Sequence, residues 1–345
     1  MSTDLETPLP TKFDVSDFDP RAKRIRDIRR LLLGAVALVA ILGLPWWVYP
    51  PIAVDIAAWA LFAISVDLLL GFVGLLSFGH AAFWGVSAYS AGLIAQNFGV
   101  PFPVAIVAGA IAAMIIAVPI GYLAVRRSGI YFAMVTLAFA QMIWFVANQW
   151  KDVTGGENGL QGVPRSFFGI ELVETEAFYF YYVVVILIVA GAWLAWRIVN
   201  SPFGRVLVAI RDNPARTRAL GYDVEKYKLI AFVLSAGIAG VAGGVFAISH
   251  GFVSLQELDW TTSGKVVLMT VLGGMGTLWG GPVGAAVIVL LEDRLATSGF
   301  DGIGIITGSI FILCVLLFRR GIWGTAKNLV DKGAAAYAKR RDSGS

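Results

Sequence analysis

A few polar side chains stand in an otherwise apolar chain, and they are the groups that could do chemistry. Ser77 and His80 lie in the segment Gly71-Phe-Val-Gly-Leu-Leu-Ser-Phe-Gly-His-Ala-Ala-Phe-Trp-Gly85, and Thr136 and Gln141 lie in Tyr131-Phe-Ala-Met-Val-Thr-Leu-Ala-Phe-Ala-Gln141. At membrane depth each such group needs a partner or water, so all four are candidates for lining a translocation pathway. Hydrogen-bonded packing between helices is the competing role, and the small residues around Ser77 and His80 suit it equally well. Asp55 and Asp67 are the acidic candidates inside the expected membrane spans, both near the second helix. Either could relay protons, or could sit capped near a span end.

Other chemistries lack their residues. The chain has two histidines, His80 and His250, and one cysteine, Cys314, so an internal disulfide and a metal cluster are excluded. Thr154-Gly-Gly-Glu-Asn-Gly-Leu-Gln-Gly-Val-Pro164 is glycine-rich, but no lysine follows in a phosphate-binding pattern, and its glycines with Asn158 read as turn chemistry. No HExxH helix, paired intramembrane acids or Ser–His–Asp set is present. No catalytic, cofactor-binding or metal residue is expected, and the chain is not expected to be an enzyme.

The segment 197–228 is too patterned to be a plain connection. Val206, Leu207 and Ile210 make an apolar stripe, and Pro214 opens a second short helix with Asn213 as N-cap and Gly221 as its stop. Such a helix pair suits docking to a partner protein; lying on anionic lipid is the alternative.

These residues must be positioned by membrane-spanning helices. Of the chain's 345 residues, 58% are apolar and 14% charged, and its mean hydropathy is +0.76. A globule in water cannot cover that much apolar surface. Apolar runs at 31–49, 52–71, 78–97, 102–124, 130–149, 178–196, 229–249, 265–275, 279–292 and 302–318 predict an all-α polytopic bundle of about ten spans. The eighth and ninth are short and flank Gly273, Gly274, Gly276, Gly280 and Gly281, a pattern that also fits broken or re-entrant segments. Arginines before the first span, after the fourth, within 197–228 and after the last place those sites in the cytoplasm. The loop 150–177, with five acids against Lys151 and Arg165, falls outside. Both termini are then cytoplasmic. The expected organisation is a tail at 1–28, a transmembrane permease domain at 29–322 and a basic tail at 323–345. The net charge of +4 is accounted for by span ends, which removes nucleic acid as a partner.

Five segments in order resemble the permease subunits of bacterial and archaeal ABC importers for branched-chain amino acids, particularly the LivM type. They are residues 74–89, 129–142, 154–164, 201–232 and 271–285. The resemblance implies a prokaryotic cytoplasmic membrane, a second homologous permease subunit and two cytoplasmic ATPase subunits that bind the ATP. An extracytoplasmic solute-binding protein would deliver the substrate. Asn213, Pro214, Ala215, Ala219 and Gly221 match the family's ATPase-coupling element, and Gly155, Gly156 and Asn158 become candidates for docking the binding protein. Urea, short amides and aromatic acids are the alternative solutes within the family. A stand-alone secondary transporter or channel is the rival class.

Overall fold

The computed structural model describes residues 43–167, 170–171, 177–297, 308, 309 and 321. The two tails, residues 31–42 of the expected first span, Cys314 and all but two residues of the expected last span lie outside them. Contacts divide the chain into Met1–Trp47 and Val48–Ser345. Residues 43–47 of the first unit are helical; everything below concerns the second.

Helix α1, Pro50–Asp67, opens on two prolines, which suit the first helical turn because its N–H groups have no intrahelical acceptor. It widens into a π-helical stretch, Leu68–Val73, and stops at Gly74, whose φ of 78° is left-handed. Then come α2 (His80–Phe98), α3 (Phe102–Ala124), α4 (Ile130–Gln149), a single turn α5 (Lys151–Thr154) and α6 (Ala177–Val199). Two short helices, α7 (Pro202–Asp212) and α8 (Pro214–Ala219), precede the longest, α9 (Val224–His250). Helices α10 (Trp260–Gly273) and α11 (Gly280–Thr297) complete the described set.

Among the described residues five helices are long and apolar enough to span a bilayer: Pro50–Val73, Phe102–Ala124, Ile130–Gln149, Phe178–Val199 and Val224–His250. The α1 segment is 83% buried, the α4 and α6 segments 28% each. Thus α1 is central, while α4 and α6 are peripheral. On α3, Val104, Val107, Ile111 and Ile115 are exposed at helical spacing, an apolar face that lipid would cover.

Helices α2, α3 and α9 approach through small residues. A Cβ at Gly240 would lie 2.8 Å from the Ala110 Cα, and Ser87 Oγ donates to the Gly240 carbonyl at 2.6 Å. With no hydrophobic effect between lipid-immersed helices, such close packing and buried hydrogen bonds hold them together.

The eighth expected span begins five residues early, at Trp260. Its 14 residues reach only about 21 Å, less than a hydrocarbon core. The chain bridges the difference without helix. After α9, strand β4 (Phe252–Val253) and a 3₁₀ turn, Leu255–Leu258, run inward beside α2, where a Cβ on Gly85 would meet the Leu258 side chain. Strand β4 pairs antiparallel with β1 (Leu160–Gln161) in the glycine-rich loop, so the all-α expectation needs this small correction. Strands β2 (Ser166–Phe167) and β3 (Ile170–Glu171) form a second such pair. Because α9 is 27 residues long, about 40 Å, the 201–222 segment at its start and the β1–β4 pair at its end mark opposite ends of the bundle.

Candidate functional site

At the 201–222 end, two capped helices follow each other. Ser201 Oγ accepts from the Gly204 N–H at 3.3 Å, and Asn213 Oδ1 accepts from the Arg216 N–H at 2.9 Å. These caps satisfy N–H groups that a helix start leaves open. The expected N-cap and stop of α8 are therefore present: the helix ends at Ala219, and Gly221 has φ 91°. The expected apolar stripe is turned the other way from a docking face. Leu207 and Ile210 are buried at 0% and 2% exposure, because α7 packs on the π-helical stretch 68–73. What remains open is α8 itself, where Asn213, Pro214, Ala215, Ala219 and Gly221 are all exposed and Leu220 is 72% exposed.

Arg211, in the last turn of α7, reaches into the bundle and donates from Nη1 to the Gly71 carbonyl at 2.5 Å. Beside it, Asp67 Oδ1 accepts from the Gly276 N–H at 2.6 Å and Oδ2 from the Leu278 N–H at 2.9 Å. Asp67 is fully buried and fastens the turn between α10 and α11, where Leu278 takes a left-handed φ of 57°. This is a capped position rather than a free carboxylate. An asparagine there offers one acceptor oxygen in place of two, so one buried N–H loses its partner. Asp67→Asn is expected to cost about 1–3 kcal/mol, read as a lower thermal midpoint in detergent; an unchanged midpoint would remove the fastening role.

Three of the four expected pathway candidates, Ser77, His80 and Thr136, meet at the start of α2. Ser77 Oγ accepts from the Gly79 N–H at 3.2 Å. His80 Nε2 lies 2.8 Å from Ser235 Oγ, which donates in turn to the Ser65 carbonyl at 2.5 Å. The hydroxyl proton is thus committed, so Nε2–H is the donor to Ser235. His80 is enclosed by the rings of Phe83 and Phe232. Thr136 Oγ1 bonds back to the Phe132 and Ala133 carbonyls, and its own backbone sits against Gly79. Gln141 stands apart, five residues further along α4, with Nε2 unpaired among the described residues. At the other end Gly155 and Gly156 have φ of 76° and 58°, and Asn158 is exposed, its carbonyl accepting from Gln161 Nε2.

The sequence profile of a family described as branched-chain amino acid transport system / permease component matches residues 50–318, most of the chain. The chain belongs to that family. Permeases named LivM are similar to it: that of Escherichia coli K12 is 26% identical over 78% of this chain and 69% of its own length. That of Salmonella typhimurium LT2 is 27% identical over 85% and 75%. An autoinducer 2 import permease, LsrC of Klebsiella pneumoniae, is 38% identical over 32% of each chain. No solved structure matches. This branched-chain amino acid permease family member is an ABC transporter permease, a multi-pass protein of the prokaryotic cytoplasmic membrane.

Proposed function

We propose that the chain is a membrane-spanning subunit of a binding-protein-dependent importer for branched-chain amino acids, moving solute by alternating access. The observation that carries the reading is α8: a capped, exposed helix at one end of the bundle, joined through α7 and Arg211 to the central helix α1. A separate ATPase subunit gripping α8 can bias the bundle only through contacts that differ between its two states. On this reading two such ATPases bind the ATP, α8 and its neighbours face the cytoplasm, and both termini lie there. The β1 loop with Gly155, Gly156 and Asn158 then faces a solute-binding protein outside. A second homologous permease completes the pathway. Similarity to LivM over most of the chain favours leucine, isoleucine and valine over urea, short amides or aromatic acids, whereas the LsrC match covers only a third.

The test is reconstitution of the chain with its neighbouring permease, ATPases and binding protein in liposomes. Leucine uptake that requires ATP and the binding protein is expected. Uptake by this chain alone, driven by an ion gradient, would establish the rival class instead.

A further inference from the structure

Charged groups from five elements converge between α1 and the inward-running segment 251–259. Asp55 Oδ2 of α1 lies 3.7 Å from His250 Nε2, at the end of α9. Lys265 of α10 pairs with Glu292 of α11 at 2.6 Å, and its Nζ stands 4.5 Å over the Trp59 ring. Glu257, in the 3₁₀ turn, accepts through Oε2 from Trp84 Nε1 at 2.8 Å. Glu257 lies within electrostatic reach of Asp55, His250 and Lys265. Trp59, Trp84 and Phe246 pack together beside these groups, with centroids 5.2 Å apart for both Trp59–Trp84 and Trp84–Phe246.

Two features separate this group from ordinary helix packing. First, it is partly open: the side chains of Asp55, Lys265 and Glu292 are 25%, 31% and 31% exposed, next to a central helix that is otherwise buried. Second, its pairing is incomplete. Lys265 is ion-paired with Glu292, while its charge also reaches Asp55 and Glu257. Among the described residues the one ion pair either acid makes is that of Asp55 with His250, and Glu257 Oε1 accepts no hydrogen bond there. The hydroxyl of Tyr89, 5% exposed and also within reach of the Glu257 charge, has no hydrogen-bond partner among the described residues. A carboxylate at this depth needs a cation beside it to stay charged. Among the described residues no set of acids and histidines could hold a metal ion.

We infer that this cluster binds the zwitterionic head of an aliphatic amino acid, with its ammonium at Asp55 and Glu257 and its carboxylate at Lys265. The Trp59 ring, under the Lys265 ammonium, and the Phe246 ring, stacked on His250 with centroids 4.0 Å apart, lie against the same charged groups and would give the solute's side chain an apolar edge. Glu257 is carried by the segment that β4 anchors to the β1 loop, so movement of that loop would reach the site directly. The inference rests on the importer function proposed above and names the chemistry of its solute site.

Saturation-transfer NMR on the purified permease–ATPase complex, without the binding protein, reads weak ligands directly. Leucine carries both charges, isoamylamine only the ammonium, and isocaproate only the carboxylate. Glu257→Gln keeps an oxygen for Trp84 Nε1, and Asp55→Asn is isosteric, so both are expected to leave the complex assembled. Each is expected to weaken leucine and isoamylamine binding by about tenfold or more, as loss of a charge-assisted hydrogen bond implies, and to leave isocaproate unchanged. Lys265→Met is expected to weaken isocaproate and leucine instead. Assembled variants that bind leucine as the unaltered complex does would overturn the inference, as would an unaltered complex that imports leucine but binds neither leucine nor isoamylamine. Failure of the importer reading shows separately, as absence of ATP-driven leucine uptake by the unaltered complex.

Discussion

Gly243→Leu is expected to abolish the folded protein. A Cβ at Gly243 would lie 2.8 Å from the Trp84 carbonyl carbon and 2.9 Å from its Cα, so the obstacle is backbone and no rotamer relieves it. Moving α9 off α2 would stretch the Ser87–Gly240 bond and the His80–Ser235 bond together. It would also part the rings of Trp84 and Phe246, whose centroids are 5.2 Å apart. Even Gly243→Ala is expected to cost about 1–3 kcal/mol by overpacking, and leucine more. Size-exclusion chromatography of a fluorescently tagged protein in mild detergent reads the result as lost monodisperse peak. Gly264→Ala is the control: nothing lies within 4 Å of a Cβ there, and helix propensity makes the change neutral or stabilising by up to about 1 kcal/mol. A Gly243→Leu peak and midpoint equal to the unaltered protein's would refute the close-packing account.

Ala215→Arg is expected to leave the protein in the membrane and to cut uptake at least about tenfold. The residue is exposed near the start of α8, and no buried contact depends on it. Only a partner surface would be disturbed by a long charged side chain, as at the centre of a well-packed interface. Gly221 gives a less clean test. Although no atom lies within 4 Å of a Cβ there, its φ of 91° would strain any L side chain by about 1–2 kcal/mol, mixing a folding effect with a docking effect. The measurements are uptake in the reconstituted system and co-purification of the ATPase with the membrane subunits. Normal values for both would sink the coupling role of α8.

Local signals are legible in the sequence where a residue acts on its own neighbours. Asn213 caps α8 because its side chain reaches the N–H three residues on, and Gly221 stops the chain because it accepts a left-handed φ. The inward direction of Leu207 and Ile210 was not legible. An amphipathic helix announces that one face is covered, but not whether its own bundle or another chain covers it. Lys265 and Glu292 were missed for a related reason. At the edges of two short expected spans they resembled solvated span ends, whereas α10 begins at Trp260 and carries Lys265 inside. A lysine and a glutamate flanking one glycine turn on paired short helices was the available signal.

The apolar composition, the charge pattern and the ordered motifs are enough by themselves to make this chain a helical membrane permease. Those properties follow from local burial, capping and backbone hydrogen bonding. Only tertiary structure decided that α1 is central, that Asp67 fastens a turn more than 200 residues away, and that Asp55, Glu257 and Lys265 come within electrostatic reach of one another. The physical reason is that α1 is apolar on every side. In a bilayer, lipid-facing and bundle-facing positions are both hydrophobic, so periodicity cannot say which face meets which neighbour.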